Sequence, residues 1–480
     1  MIHEDTIAAI ATALSDSGIG IIRISGEKSM EIADSLIALK NGEKFVSKMQ
    51  SHSIRHGYVF DNDEKGKKSI VDEVLVSTFR APKSYTREDV VEINCHGGVL
   101  VTKKVLELVV KAGARLAAPG EFTKRAFLNG RIDLAEAEAV MDLIHSKNEM
   151  SLKASTAQLR GDLSKKIKSL REEILYEIAF IESALDDPEH ISLDGYLDKL
   201  EEKVDHLMKE INLLLETAEN GRMIREGIST VIVGKPNAGK SSLLNMILGQ
   251  ERAIVTDVAG TTRDVLEEYV NLRGIHLNVI DTAGIRDTED LVEKIGVEKA
   301  KKYAKDADLI LYVVDVSVDL DENDKEILSM IGDKKTIFLL NKSDLEQKVS
   351  EEDILKLLKD VKSDISFDLE DGNNHISMIS TSAARGDGLE KLEKEVENMV
   401  FHGNVKKNDE VMITNLRHKE ALMDALEALK LVKKSLKDQM PEDFYSIDLM
   451  EAYASLGKIL GEEVGDDLMD EIFSKFCMGK

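Results

Sequence analysis

The sequence contains a glycine-rich loop of the kind that holds the phosphates of a nucleotide. Residues 234–241 are Gly-Lys-Pro-Asn-Ala-Gly-Lys-Ser and match the P-loop pattern. They follow the apolar run 230–233 and open a helix at 242–245, which is the context that this motif requires. Backbone N–H groups of such a loop converge on phosphate oxygens. Lys240 is therefore expected to reach the β- and γ-phosphates, and the Ser241 hydroxyl to hold Mg²⁺.

Three further motifs, each following an apolar run, indicate that the nucleotide is GTP. Asp-Thr-Ala-Gly at 281–284 would bring a carboxylate to the metal and a glycine N–H to the γ-phosphate. In Asn-Lys-Ser-Asp at 341–344, Asp344 can accept two hydrogen bonds from guanine that adenine cannot offer. Losing both bonds would cost about 3–6 kcal/mol, which is enough to exclude ATP. Thr-Ser-Ala-Ala at 381–384 would support the base.

A candidate switch segment, Thr-Asp-Val-Ala-Gly-Thr-Thr-Arg-Asp, occupies residues 256–264. A threonine here can complete the Mg²⁺ shell only when the γ-phosphate is present, so we predict Thr262 and Ser241 as Mg²⁺ ligands. The residues predicted to contact GTP are Asn237, Ala238, Gly239, Lys240, Ser241, Ser242, Thr256, Asp257, Val258, Ala259, Gly260, Thr261, Thr262, Asp281, Thr282, Ala283, Gly284, Asn341, Lys342, Asp344, Ser382, Ala383 and Ala384.

The position that would hold a water-orienting glutamine carries a different residue. Small signalling GTPases have this glutamine just after the glycine of the metal-binding motif. Here the position is Ile285, whose side chain can neither orient nor polarise water. Hydrolysis therefore requires a substitute residue, a substitute cation, or both.

Composition limits the other function classes. The chain has 480 residues and a formal net charge of -26, and such a surface repels nucleic acid phosphates at long range. Any RNA contact is thus expected through a local patch or a partner. Two cysteines exclude a disulfide framework, and the N-terminus has acids where a secretory signal has bases. With no run of 18 apolar residues, we expect no membrane span and a cytoplasmic location.

The motifs require a parallel sheet, and the hydrophobic pattern predicts one inside a helical framework. Residues 1–120 alternate β-branched runs with amphipathic stretches, which is typical of a small α/β unit. Residues 121–220 and 401–480 show helical periods, whereas 221–400 alternates buried-type strands with helices. We predict a multidomain α/β and α protein with a doubly wound P-loop G domain inserted into one discontinuous helical domain.

Three segments outside the G domain, together with the GTPase motifs, carry a family resemblance. They are Gly-Ile-Ile-Arg-Ile-Ser-Gly at 20–26, the stretch 119–139 beginning Pro-Gly-Glu-Phe-Thr-Lys-Arg, and Phe-Cys-Met-Gly-Lys at 476–480. The chain resembles the MnmE (TrmE) family of tRNA modification GTPases over essentially its whole length. The family more often has isoleucine than Met478 in the terminal motif, a volume-conserving difference.

The resemblance implies a fold and an activity. It implies an N-terminal domain that binds a tetrahydrofolate derivative (formyl or methylene) and forms a homodimer, and G domains that pair across the dimer as GTP is hydrolysed. It also implies an MnmG-type partner that uses FAD and NADH, in a heterotetramer or larger assembly. The pair would add an aminomethyl or carboxymethylaminomethyl group to carbon 5 of the wobble uridine of certain tRNAs.

The resemblance also implies roles for particular residues. Glu293 would position water in place of the missing glutamine. Potassium, bound by Asn237, Thr256, Val258 and Thr261, would substitute for an arginine finger. Folate would be bound by Arg23, Glu92, Arg131 and Lys480. Cys477 is either a nucleophile or acid near the one-carbon unit, or a buried anchor of the tail.

Other predictions concern the segment around residue 95 and the alternatives for the whole chain. Cys95 is predicted to be structural, and His96 with Gly97 and Gly98 to shape the folate pocket. One alternative function is an RNA-binding ribosome-assembly GTPase, although such proteins usually carry a basic appendage. Another is a nucleotide-gated scaffold with folate as a structural ligand, and GTP turnover in potassium against sodium would separate it from an enzyme.

Overall fold

The computed structural model describes residues 5–62, 68–187, 189–190, 195–249, 267–272, 275–281, 303–331, 334–361, 376–401, 411–462, 464–476 and 479. The chain forms two compact units. The first comprises Met1–Ile144, Ser155–Lys209 and Glu420–Lys480, and the second comprises His145–Ala154 and Glu210–Lys419. The fourfold division into domains at 120/121, 220/221 and 400/401 stays a prediction.

Within these residues the strands are β1 (Ile7–Ile10), β2 (Ser17–Ser25), β3 (Ile37–Ala38), β4 (Ser53–Asn62), β5 (Lys68–Phe79), β6 (Val90–Gly97), β7 (Arg115–Leu116), β8 (Ile228–Val233), β9 (Glu267–Leu272), β10 (Ile275–Asp281), β11 (Leu309–Asp315), β12 (Lys335–Asn341) and β13 (Ile376–Ser380). The α-helices are α1 (Ser29–Leu36), α2 (Val99–Lys111), α3 (Glu121–Leu128), α4 (Leu134–His145), α5 (Glu149–Leu159), α6 (Asp162–Asp186), α7 (Tyr196–Glu216), α8 (Ala218–Glu226), α9 (Lys240–Leu248), α10 (Glu322–Ile331), α11 (Glu351–Val361), α12 (Leu389–Phe401), α13 (Leu416–Lys437), α14 (Glu442–Leu460) and α15 (Asp466–Ser474).

The first unit contains a seven-stranded sheet in the order β3-β4-β5-β6-β2-β1-β7. Its pairs are antiparallel except for β1 and β7. Alternate side chains such as Ile22 and Ile24 belong to one apolar core with Val105 and Val109 of α2. Because side chains alternate along a strand, Arg23 lies on the opposite face of the sheet.

The helical stripes predicted from sequence are buried in the structure. Along α6 the buried positions recur every three or four residues, and α13 follows the same rule. These positions are Leu163, Ile167, Leu170, Ile174, Ile178 and Ile181 in α6, and Leu422, Leu426, Leu429, Val432 and Leu436 in α13. Leu185 continues the α6 pattern in sequence but is 37% exposed, because it lies in the last turn of that helix. None of the helices in the described residues is long and apolar enough to cross a membrane.

The second unit contains a six-stranded sheet in the order β13-β12-β11-β8-β10-β9. Every pair is parallel except β9 with β10. Two apolar cores lie on its two faces, so β11 is buried along its whole length. The predicted fold class is therefore confirmed, including the doubly wound sheet. The edge strand β9 was not predicted, because its alternating polar residues lack the apolar run of a central strand.

Candidate functional site

The P-loop connects β8 to α9, and close contacts with neighbouring strands require its glycines. Gly234 has φ +154°, and a Cβ there would lie 2.4 Å from the carbonyl oxygen of Val313 on β11. Gly239 has φ +99°, and its Cβ would lie 2.2 Å from Nδ2 of Asn341. Between them Asn237 also has a left-handed backbone, with φ +62°. The loop can therefore approach Val313 of β11 and Asn341 of β12 this closely only with glycine at positions 234 and 239.

Lys240, the first residue of α9, lies across this loop. Its Nζ donates hydrogen bonds to the carbonyl oxygens of Gly234 and Lys235, both at 2.8 Å. The ammonium is thus held beside the N-terminus of α9, where the unpaired N–H groups add positive potential. Ser241 and Ser242 follow on the exposed side of the same turn. This arrangement can bind a polyphosphate.

Asn341, the buried last residue of β12, connects three of the predicted motifs. Its Nδ2 donates to the carbonyl oxygen of Ala238 in the P-loop at 2.8 Å. Its Oδ1 accepts from the backbone N–H of Ala383 at 3.1 Å. The structure therefore brings together the P-loop, the 341–344 loop and the segment after β13, as expected where parallel strands share a carboxyl edge.

The carboxylate predicted to bind guanine is oriented by the last of these motifs. Ser382 donates its hydroxyl to Oδ1 of Asp344 at 2.7 Å, and Nε of Arg385 lies 3.9 Å from Oδ2. The hydrogen bond from Ser382 lowers the pKa of Asp344 below its ordinary value. Asp344 is thus a carboxylate at neutral pH and can only accept hydrogen bonds, as recognition of guanine N–H groups requires.

Asp315 is a residue of this edge that the sequence analysis missed. It ends β11, and its Oδ2 lies 2.5 Å from Nζ of Lys342, whose backbone has φ +63°. Ser317 donates to the other carboxylate oxygen through its N–H and its hydroxyl. Burial would raise the pKa of Asp315, but the bonds from Lys342 and Ser317 outweigh it and lower the pKa. Its position at the end of an apolar run could have predicted that Asp315 lies at this edge of the sheet.

Several predicted residues of the nucleotide site lie outside the described part of the chain. They are Thr256, Asp257, Val258, Ala259, Gly260, Thr261, Thr262, Thr282, Ala283, Gly284, Ile285 and Glu293. Asp281 is the last residue of β10, and only its backbone is described. Of the predicted potassium ligands the structure therefore describes Asn237, and of the Mg²⁺ ligands Ser241.

A second set of predicted residues meets on the first sheet. Arg23 of β2 and Glu92 of β6 are direct partners in the register, and Nε of Arg23 lies 2.8 Å from Oε1 of Glu92. Nη1 of Arg23 donates to the carbonyl oxygen of Gly479 at 3.1 Å. Gly479 has φ +93°, and a Cβ there would lie 2.2 Å from the carbonyl oxygen of Ile10. Gly479 thus lies beside β1 and β2, whereas Cys477 and Lys480 are outside the described residues.

Tyr85 joins Arg131 to this group, and the sequence analysis did not single it out. The guanidinium carbon of Arg131 lies 4.7 Å from the Tyr85 ring centroid, and Nη1 donates to the Tyr85 carbonyl oxygen at 3.1 Å. The guanidinium carbon of Arg23 lies 5.7 Å from the same ring and 5.6 Å from that of Phe122. The Tyr85 hydroxyl and the Thr123 hydroxyl are 2.8 Å apart. Two cations, one of them paired with Glu92, therefore flank one aromatic side chain.

An ionic cluster around the buried Arg125 supports the segment that carries Tyr85. The nearly buried guanidinium of Arg125 on α3 donates to Asp5, Glu88 and Glu121. Arg115 also donates to Glu121, through two nitrogens. Burial would raise the pKa of Glu121, but these bonds and one from a backbone N–H lower it. The cluster fixes α3 against the loop that contains Glu88 and Tyr85.

The segment around Cys95 lies farther along β6. Cys95 is buried and donates to the carbonyl oxygen of Gly20 at 3.3 Å, and burial raises the pKa of its thiol. His96 has Nδ1 2.6 Å from Oδ1 of Asp72. It is four residues along the strand from Glu92, about 13 Å at the usual rise per residue. The predicted role of His96, Gly97 and Gly98 in a folate pocket stays a prediction.

A doubly wound sheet whose P-loop and guanine-type loop meet at one edge defines a P-loop GTPase with additional domains. Comparisons with known proteins narrow this class. A family model described as "MnmE helical domain" matches residues 134–477, and one described as "GTP-binding protein TrmE N-terminus" matches residues 6–131. The chain therefore belongs to the MnmE family of tRNA modification GTPases, and the family predicted from the sequence motifs is confirmed.

Full-length relatives agree with this assignment. A protein of Lachnoclostridium phytofermentans named tRNA modification GTPase MnmE is 55% identical over 476 residues, which cover 99% of each chain. Proteins of the same name from Clostridioides difficile and Acetivibrio thermocellus are 49% and 48% identical over 480 residues, with both chains fully covered. Among solved structures, the G domain of the T. maritima FeoB iron transporter covers 36% of this chain and 97% of its own at 26% identity, but its TM-score of 0.25 supports no conclusion.

Proposed function

We propose that the chain hydrolyses GTP at the P-loop site and uses the hydrolysis to drive modification of the wobble uridine of certain tRNAs. The observation that supports the GTP site is the pair of hydrogen bonds made by Asn341. They join the phosphate loop at Ala238 to the segment at Ala383 that is proposed to support the base. Family membership supports the role in tRNA modification. The finer chemistry, on carbon 5 of the uridine, rests on the family resemblance.

In the proposed GTP site, Lys240 binds the β- and γ-phosphates and Asp344 selects guanine. Ser241 and Thr262 supply hydroxyl ligands for Mg²⁺, which prefers oxygen ligands and keeps substrate phosphates in its shell. Asn237 would hold K⁺ with Thr256, Val258 and Thr261. Asn237 is an exposed residue of the phosphate loop, and the oxygen of its side-chain amide fits a ligand of this kind.

Glu293 is proposed to position the attacking water. An arginine finger supplies about 10³–10⁵ in rate in other GTPases. The K⁺ site is proposed to supply a comparable electrostatic effect.

The group of charged residues on the first sheet supports a tetrahydrofolate site. Guanidinium groups such as those of Arg23 and Arg131 can pair with the carboxylates of a glutamate tail. Glu92 can accept hydrogen bonds from amino and ring N–H groups of a pterin. Gly479 accepts a hydrogen bond from Arg23, which supports the proposal that the C-terminal residues Cys477 and Lys480 belong to this site. The bound form would be a formyl or methylene derivative that supplies the one-carbon unit.

The same sheet face supports the proposed homodimer. Ile54, Ser77, Glu92 and Arg23 form one row across β4, β5, β6 and β2. Ile54 is 68% exposed and Leu75, in the next row on this face, is 49% exposed. Contiguous exposed apolar residues of this kind mark interfaces. A second copy covering them would lie beside the folate site, and the G domains are proposed to pair across this dimer.

The remaining proposal concerns the partners. With a net charge of -26, the chain is expected to contact tRNA through a local patch or through an MnmG-type partner that holds FAD and NADH.

The test of the whole proposal is mass analysis of wobble uridines in tRNA from cells lacking this protein. Loss of the C5 group is the expected result, and unchanged uridines would contradict the proposal.

The role of K⁺ has a separate test. Steady-state GTP turnover should be much faster in potassium than in sodium at equal ionic strength. Equal rates would exclude the role of K⁺ and leave the rest of the proposal standing.

A further inference from the structure

Lys235 is the second residue of the P-loop, and no role in nucleotide binding has been given to its side chain. Its carbonyl oxygen accepts a hydrogen bond from Nζ of Lys240, so its peptide group is part of the phosphate loop itself. Its side chain, however, runs toward α10. Nζ lies 2.6 Å from Oδ2 of Asp324 and 3.3 Å from Oδ2 of Asp321. The positive charge of Lys235 is therefore paired with carboxylates of α10 and of the residue just before it.

The carboxylate that receives Lys235 is buried and fully engaged. Asp324 is 1% exposed. The hydroxyl of Tyr312 on β11 donates to its Oδ1 at 2.8 Å, and the N–H of Asp321 donates to its Oδ2 at 2.9 Å. Tyr312 is itself buried. Asp324 thus connects the central sheet, the first turn of α10 and the P-loop. A buried carboxylate needs its cation, so this connection is strongly maintained in the native state.

The P-loop has a backbone that requires support. Gly234 and Asn237 have positive φ values, and a Cβ at Gly234 would overlap the backbone of β11 next to Tyr312. Asn341 holds the far side of the loop through Ala238. Lys235 holds the near side. A loop fixed at both sides keeps its N–H groups directed at the phosphates before the nucleotide arrives, which reduces the ordering cost of binding.

We propose that Lys235 is a positioning residue for nucleotide binding: its ion pair with Asp324 holds the phosphate loop in its binding conformation. This inference rests on the proposed GTP site and adds a residue to it. A merely structural role makes a different prediction. If Lys235 only neutralised the buried carboxylate of Asp324, removing that carboxylate together with the lysine would restore nucleotide binding.

The experiment uses the full chain with Mg²⁺ and measures the Kd for fluorescently labelled GDP, the kcat and KM for GTP, and the melting temperature. Lys235→Met keeps the aliphatic stem and removes the charge. It should raise the Kd for GDP by about ten-fold, with kcat at saturating GTP within about three-fold of the unmodified chain. Lys235→Arg, which keeps a cation, should restore most of the affinity. Lys325→Met, which removes an exposed ion pair with Glu322 on α10, is the matched control. It should change neither the Kd for GDP nor the kcat for GTP.

The deciding variant combines Lys235→Met with Asp324→Asn. The buried charge is then gone, so the melting temperature should recover relative to Lys235→Met alone. The connection is still missing, so the Kd for GDP should stay raised by about ten-fold. GDP affinity equal to that of the unmodified chain in this double variant would overturn the inference, and this holds even if Lys235→Met alone fails to fold. Absence of GDP binding by the unmodified chain would instead contradict the proposed GTP site.

Discussion

Removal of the Tyr85 ring should weaken binding of tetrahydrofolate derivatives without affecting the GTPase site. In Tyr85→Ala, Arg23 and Arg131 each lose a cation–π contact, at 5.7 and 4.7 Å from the ring centroid. Such a contact contributes about 0.5–2 kcal/mol. The hydrogen bond with Thr123 is lost as well. If both arginines must be ordered again by the ligand, about 1–4 kcal/mol is lost, which corresponds to about 5- to 1,000-fold in Kd.

The assay is isothermal titration of the purified chain with 5-formyltetrahydrofolate. Tyr85→Phe is the matched control, because it keeps the ring and loses only the hydroxyl, and its Kd should rise by no more than about ten-fold. Arg23→Ala tests the site itself and should remove most of the binding. If Arg23→Ala abolishes binding while Tyr85→Ala binds within two-fold of the unmodified chain, the role of Tyr85 is wrong and the folate site stands. If the unmodified chain does not bind, the folate proposal fails.

Three other substitutions and one deletion test the remaining assignments. Glu293→Ala should leave GTP affinity within a few-fold while turnover drops sharply, and unchanged single-turnover hydrolysis would remove its role with water. Gly479→Ala forces a Cβ to within 2.2 Å of the Ile10 carbonyl oxygen, so folate affinity should fall while GTP turnover is retained; equal affinity would show that the tail is not needed. Deletion of residues 479–480 should abolish uridine modification with the same retention of turnover. The pKa of Glu121 is lowered from an ordinary value of 4.5, so its ion pairs contribute stability above that pH and lose it as pH falls through the lowered pKa. At pH 7, Glu121→Gln should therefore lower the free energy of unfolding by about 1.5–3 kcal/mol, which melting curves would show as a lower melting temperature. In acid the difference in melting temperature between Glu121→Gln and the unmodified chain should be smaller; a difference that does not change with pH would contradict this.

The meeting of the P-loop with the 341–344 and 381–384 motifs could be predicted because each motif is a local feature of the sequence. The spacing of residues 234–241 after an apolar run predicts a P-loop, since the loop needs glycine wherever its backbone approaches β11 and β12. The motifs at 341–344 and 381–384 follow buried strands, and parallel strands bring their carboxyl ends to one edge. Asp315 obeys the same rule and was overlooked because it belongs to no nucleotide-binding motif.

The contacts that escaped prediction join residues far apart in the chain. Lys235 and Asp324 are 89 positions apart, and nothing in the periodicity of either segment pairs a P-loop lysine with the first turn of α10. The family resemblance put Arg23 and Lys480 in one site, but the hydrogen bond from Arg23 to the carbonyl oxygen of Gly479 was not predicted. Hydrophobic periodicity predicts which face of an element is buried, but it does not say which polar groups from other elements will meet there.

The amino-acid sequence alone was sufficient for the family, the guanine nucleotide and the alternation of helical and α/β segments, because short motifs and hydrophobic periods depend on neighbours in the chain. Only the tertiary structure revealed that Tyr85 joins Arg23 to Arg131 and that Asp324 holds Lys235. Those two arrangements depend on sheet register and helix docking, which are determined when distant segments pack and exclude water from the charges between them.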